Sequence, residues 1–130
     1  MTIPSLKEVL LVEDESDIQV VARMALESGG LAVKVCGTGQ EALRIAAEFP
    51  PDLILLDVMM PGMDGPSTLK ALRAIPSAAS IPIIFITAKV QLHEIDQYKA
   101  LGAIDVIRKP FDPMTLVSTI RNIWTRRYGE

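Results

Sequence analysis

The chain carries little with which to staple or metal-knit a fold: Cys36 is the only cysteine and His93 the only histidine in 130 residues. A single cysteine excludes an internal disulfide and a cysteine-based zinc cluster. It suits a reducing compartment, where a free thiol behaves as a small buried hydrophobe. Long apolar runs are missing too. Nowhere do about 18 apolar residues follow one another, the length at which a membrane helix becomes a candidate, and the opening MTIPSLKEVLLVEDES has no apolar core behind a basic stretch. A soluble, cytoplasmic chain without membrane contact is expected. Positive charge is in deficit: the formal net charge is −3, and Arg126-Arg127 is too small a pair to make a clustered basic face, so no nucleic-acid partner is expected. Nor does a Gly/Ser/Thr-rich loop follow the first apolar run. Glu13-Asp14-Glu15 stand there instead and would repel the phosphates of a flavin or nucleotide.

What is present is ordinary in amount and ordered in pattern. Apolar residues make up 49% and charged residues 22%, as in a globular domain, and the length suits one domain able to bury its own core. Short apolar runs alternate with segments whose apolar residues recur at three- and four-residue spacing, which predicts repeated β-α units and a parallel sheet. The strands fall at Glu8 to Val12, Ala32 to Cys36, Leu53 to Leu56, Ile83 to Thr87 and Val106 to Arg108.

Five helices are expected between and after them. Ile18, Val21, Ala22, Ala25 and Leu26 form the inner face of the first, which stops at Gly29-Gly30. Thr38-Gly39-Gln40-Glu41 fits a capping box for the second, with Ala42, Leu43, Ile45 and Ala46 behind it. Pro66 opens the third, with Leu69 and Leu72 inward. A polar fourth runs from Leu92 to Leu101 and is closed by Gly102. Asp112-Pro113 is read as N-cap and first residue of the fifth, whose buried stripe is Leu116, Ile120, Ile123 and Trp124. The outcome is a single-domain α/β fold of (βα)₅ type.

Right-handed crossovers put every strand's C-terminal end on one edge, where open α/β sheets bind ligands. At that edge the first strand ends in Glu13-Asp14, the third in Asp57, the fourth in Thr87 and the fifth in Lys109-Pro110. Two carboxylates about 4 Å apart repel by roughly 4 kcal/mol at an effective dielectric near 20, so three acids facing one lysine call for a further positive charge. An all-oxygen site suits Mg²⁺, which favours carboxylates, keeps several waters and accompanies phosphates. A purely structural ion-pair cluster is the alternative. Were a phosphoryl group to arrive, Lys109 and the Thr87 hydroxyl would bind its oxygens. Asp57, alone on the middle strand, would be the nucleophile.

LLVEDE at 10–15, DLILLDVMMPGMDG at 52–65, ITA at 86–88 and LGAIDVIRKPF at 101–111 resemble the receiver domain of two-component response regulators, and the likeness runs from Val9 to about Tyr128. The resemblance implies the flavodoxin-like, doubly wound strand order 2-1-3-4-5, which is carried over from the family rather than derived. It implies that Asp57 accepts phosphate from the phosphohistidine of a sensor histidine kinase or histidine phosphotransfer protein. Glu13, Asp14, Asp57 and the backbone carbonyl of Met59 would hold Mg²⁺. Thr87, Ala88 and Lys109 would surround the phosphoryl group, with Ala88 small enough to leave the pocket open, and the peptide before Pro110 would be cis. Gly62 and Gly65 would let the neighbouring loop turn tightly. Such a domain catalyses only its own phosphorylation and dephosphorylation, and a downstream target would bind at helix 4, strand 5 and helix 5.

Val106 departs from the family, which commonly has Tyr or Phe there as the partner of the threonine in switching; valine's stiff χ1 provides no such rotor. With Ile104 it would make an apolar surface near the fourth helix, either a partner face or ordinary packing, and the signal is expected to pass through the loop after Thr87 and the fourth helix. The resemblance implies that Met59 and Lys89, two residues past Asp57 and Thr87, occupy positions that set the lifetime of the phosphoryl group by blocking or guiding water; a rim methionine and a solvated lysine are the alternative. His93 and the six methionines are read as bystanders and filler. An aspartate-nucleophile phosphatase would want a second acid where Met59 stands. The core is placed at about residues 8–128 of a domain spanning 1–130 with no output domain, either acting alone or cut from a longer regulator. A phosphorylation-independent binding module of the same fold is the rival, although such modules usually lose the aspartate, threonine or lysine kept here.

Overall fold

The computed structural model describes residues 4–88 and 91–129. Strands β1 (Glu8–Val12), β2 (Ala32–Cys36), β3 (Leu53–Asp57), β4 (Ile83–Thr87) and β5 (Asp105–Arg108) alternate with helices α1 (Ser16–Ser28), α2 (Gly39–Glu48), α3 (Gly65–Arg73), α4 (Leu92–Leu101) and α5 (Leu116–Tyr128). The strands pair in parallel in the order β2-β1-β3-β4-β5, the expected flavodoxin-like arrangement.

β3 and β4 are continuous apolar runs because the sheet is covered on both faces. Strand side chains alternate between faces, so two cores form. Leu10, Val12, Ile54, Leu56, Ile83 and Phe85 line one face and pack with α2 and α3 through Ala42, Ala46, Leu69 and Leu72. Val9, Leu11, Leu55, Ile84, Ile86 and Ile107 line the other and meet Ala22 and Leu26 of α1 and Ile120 and Trp124 of α5. Cys36 is buried, and its thiol is pushed up to about 11, first by burial and then by the charge of Glu41.

Helix ends follow local chemistry. The Thr38 hydroxyl oxygen accepts from the Glu41 amide at 3.1 Å, completing the main half of the capping box. Asp64 caps α3 by accepting from the Ser67 amide at 2.8 Å; Gly65, not Pro66, is the first helical residue. Gly102 ends α4 at φ 121°, a left-handed conformation that favours glycine.

The largest departure is the start of α5. Asp112 does not cap the helix: its Oδ1 accepts from the Met114 amide at 2.9 Å, closing an Asx turn, and the helix begins at Leu116 with Thr115 as N-cap. Val21, expected inside, is 42% exposed, because α1 presents only Ala22 and Leu26 fully to the sheet. Ile104 and Val106 are half-buried against opposite cores, so they pack rather than form an exposed apolar surface.

Candidate functional site

The C-terminal ends of β1, β3, β4 and β5 bring together most of the residues expected there. Glu13 follows β1 and is fully buried, its amide donating to the Cys36 carbonyl at 3.0 Å. Its side chain is fixed where the chain turns into α1, Oε2 accepting from the Glu15 amide at 3.0 Å. Asp14, next in sequence, points to solvent. The acidic pair is therefore divided into one inner and one outer carboxylate, and both lie with Asp57 in a group whose ligand oxygens are all within 4.8 Å of one another.

Asp57 ends β3, 2% exposed, with Oδ1 accepting from the Met59 amide at 3.2 Å. The loop that follows returns on itself, the Gly65 amide donating to the Val58 carbonyl at 2.9 Å. A Cβ at Gly65 would lie 2.6 Å from the Asp57 carbonyl oxygen, so glycine is needed here for close approach of α3 to the strand end rather than for a positive φ. Gly62, at φ 77°, is the residue that makes the turn. The Met59 side chain sits exposed at the rim.

Lys109 links the acids. Its Nζ lies 2.7 Å from Glu13 Oε1 and 3.1 Å from Asp57 Oδ2, and its amide donates to the Thr87 carbonyl at 2.9 Å, tying the end of β5 to that of β4. The Lys109–Pro110 peptide is cis. Thr87 is buried at the end of β4, and Ala88 after it is exposed beside Lys109, Pro110 and Phe111. Lys89 lies outside the described residues.

The electrostatics show the imbalance of acids over bases. Burial first, then the charge of Glu13, pushes Asp57 up to about 6 against the opposing pull of Lys109. Burial alone would lower the Lys109 ammonium, but the contacts and charges of Glu13 and Asp57 outweigh it and raise it. Glu13 Oε1 and Asp57 Oδ2 are buried, and the single Lys109 ammonium is the positive group that faces them both. Two inward oxygens in need of positive charge, with a third carboxylate at the mouth, make a hard donor set that fits a small divalent cation such as Mg²⁺.

Two features were not read from the sequence. Gln19 of α1 donates from Nε2 to the Glu13 carbonyl, holding the acidic turn from the helix side. Tyr98 of α4 packs edge-on against Phe85, ring centroids 5.1 Å apart, which brings its phenol toward Thr87 two residues further along β4. The first is one of many polar residues on an exposed helix face, and the second joins residues that no local pattern connects. His93 is exposed on α4, as expected of a bystander.

The family comparisons agree with one another. The family model described as "Response regulator receiver domain" matches residues 9–121. The DNA-binding response regulator MtrA of Mycobacterium tuberculosis is 36% identical over 115 residues, 88% of this chain and 49% of that protein. The transcriptional regulatory protein CseB of Streptomyces coelicolor is 36% identical over 121 residues, 93% of this chain and 50% of the relative. The chain thus spans about half the length of the curated relatives it matches. Among solved structures, chemotaxis response regulator CheY4 of Vibrio cholerae superposes with a TM-score of 0.84 at 32% identity, covering 92% of this chain and 99% of that one. The acids, lysine and threonine gathered at the sheet's edge stand in a chain that belongs to the response regulator receiver domain family of two-component signalling.

Proposed function

We propose that this domain accepts a phosphoryl group on Asp57 from the phosphohistidine of a sensor histidine kinase or histidine phosphotransfer protein, and that the modified form differs in affinity for a downstream protein. The observation that carries this reading is the Lys109 ammonium set between Glu13 and Asp57, 2.7 and 3.1 Å away, with Asp14 at the mouth. An Asp57 oxygen attacks phosphorus in line as the P–N bond breaks; the electron pair returns to the imidazole and an acyl phosphate forms. Lys109 moves from its carboxylate partners toward the phosphoryl oxygens, and the Thr87 hydroxyl donates to one of them. Glu13, Asp14, Asp57 and the Met59 carbonyl would hold Mg²⁺, whose charge offsets that of the transferring group. Ala88 keeps the entrance open. The same pocket later admits water, returning Asp57 to the carboxylate, so the chain acts on itself and on no separate substrate.

The phosphodonor must bring its imidazole to this edge. An apolar groove lined by Ile18, Val21, Ala88, Pro110 and Phe111 leads to Lys109, and exposed Val20, Met24 and Met114 extend the apolar surface on that side. That face suits the donor protein, and the opposite flank at α4, β5 and α5 suits the downstream target. The printed name of MtrA describes DNA binding by that protein, and with a net charge of −3 no nucleic-acid partner is proposed for this domain. Among the described residues no helix is long and apolar enough to cross a membrane. A cytoplasmic setting is part of the proposal and accords with a single free cysteine.

Incubation with acetyl phosphate and Mg²⁺ followed by intact-mass measurement tests the reading. One added phosphoryl group, lost on omitting Mg²⁺ and absent in Asp57→Asn, is expected. An unmodified wild type would favour a phosphorylation-independent binding module.

A further inference from the structure

Receivers that switch through an aromatic on the fifth strand have no counterpart at Val106, yet the structure places a different aromatic beside the threonine. Tyr98 comes from α4, a helix with no fully buried residue. Its ring packs edge-on against Phe85, and Phe85 is the register partner of Val106 on the neighbouring strand, so ring and valine share one stretch of the same sheet face. Phe85 and Thr87, two residues apart on β4, point to that same face. The phenol is thereby brought within reach of the Thr87 side chain, whose pull on it runs against that of burial. Burial and the charge of Glu94 raise the phenol above its ordinary range, so at neutral pH it carries its proton and is able to donate.

We propose that Tyr98 is the positioning residue that couples the phosphorylation site to α4, replacing the strand-borne aromatic: its hydroxyl follows the Thr87 hydroxyl, and the helix follows Tyr98. The inference rests on the reading of Asp57 as phosphoacceptor. Thr87 has one hydroxyl proton. Once that proton is donated to a phosphoryl oxygen, Tyr98 is left only the lone pairs of Thr87 Oγ1, as a donor, and the preferred geometry of the bond changes. The change is felt by the whole helix because α4 has few other ties to the sheet: Tyr98 and Ile95 are only half-buried, while Leu92 is 84% exposed. Valine at 106 leaves the face beside Phe85 to Tyr98 instead of competing for it.

The test uses the full chain with Mg²⁺ and beryllium fluoride as phosphoryl mimic, read by amide resonances and by the Tyr98 Cζ resonance in tyrosine-labelled protein. Tyr98→Phe keeps the ring on Phe85 and deletes only the hydroxyl. In the wild type, the mimic is expected to move the amides of Met59 and Gly65, those of α4, and Tyr98 Cζ. In Tyr98→Phe the first set should respond as before while the α4 response falls roughly fivefold, the factor that corresponds to one net hydrogen bond. Equal α4 responses in the two proteins, or a Tyr98 Cζ that stays in place when the mimic binds, would overturn the proposal. A wild type with no response at Met59 and Gly65 would overturn the phosphoacceptor reading itself and the coupling with it.

Discussion

Helices α4 and α5 meet opposite faces of the sheet, and they hold to it by different means. α5 sets Leu116, Ile120, Ile123 and Trp124 into the core and adds a hydrogen bond from the Trp124 indole to the Pro4 carbonyl at 2.8 Å. α4 buries nothing completely; it packs on the core through the half-buried Tyr98 and reaches β5 through Lys99, whose Nζ lies 3.9 Å from Asp105 Oδ1. Apolar burial is stiff and indifferent to the state of the site, whereas one polar contact to Thr87 is weak and responds to it. The contrast teaches where movement is inexpensive: the helix that the packing does not fix is the one tied to the pocket. Elements that transmit signals are drawn from the low-stability end of a fold for this reason.

The comparison is broken most forcefully by truncation. Ile120→Ala should cost about 3–4 kcal/mol by urea denaturation, as expected for a buried isoleucine that leaves a cavity, while Leu92→Ala on α4 should change stability by less than about 0.5 kcal/mol. Similar losses would erase the distinction between the two helices. Next in size is Gly65→Ala, whose Cβ would meet the Asp57 carbonyl oxygen at 2.6 Å and the Val58 Cα at 2.8 Å. Backbone atoms on both sides have little room to yield, so a loss of about 2 kcal/mol is expected in the same assay, together with weakened phosphorylation by acetyl phosphate.

The site itself should work against stability, the reverse of α5. Asp57 has its folded pKa pushed from the ordinary 3.8 up to about 6, so the folded state binds the proton more tightly than the unfolded chain. Stability then falls as pH rises from about 4 through about 6, and above that the full penalty remains. Without added divalent cation, Asp57→Asn should therefore be more stable than wild type by about 1–2 kcal/mol at pH 7.5, with the advantage vanishing toward pH 4. Thermal melts across that range check it; a gain that grows toward acid pH would contradict the assigned cause.

Much of this is legible in the sequence, for physical reasons. Strands buried on both faces must be continuous apolar runs, so LILL and IIFI marked β3 and β4, and parallel topology then placed Glu13, Asp57, Thr87 and Lys109 on one edge. α4 was bounded correctly because Gly102 ends it. Asp112-Pro113 misled because an aspartate before proline closes an Asx turn as readily as it caps a helix, and only burial of Leu116 decides where the helix begins. The unequal exposure of Glu13 and Asp14 and the closeness of Gly65 to Asp57 depend on how loops return to the sheet. So does the approach of Tyr98 to Thr87, which tertiary packing alone creates.

Hydrogen exchange, resolved by peptide, in the chain with and without acetyl phosphate and Mg²⁺ tests most directly the claim that the state of Asp57 is read through α4. Phosphorylation is expected to change exchange across Leu92–Leu101 by severalfold and to leave Leu116–Tyr128 as it was. A phosphorylated protein whose α4 peptides exchange unchanged, or in which α5 responds instead, would contradict the account.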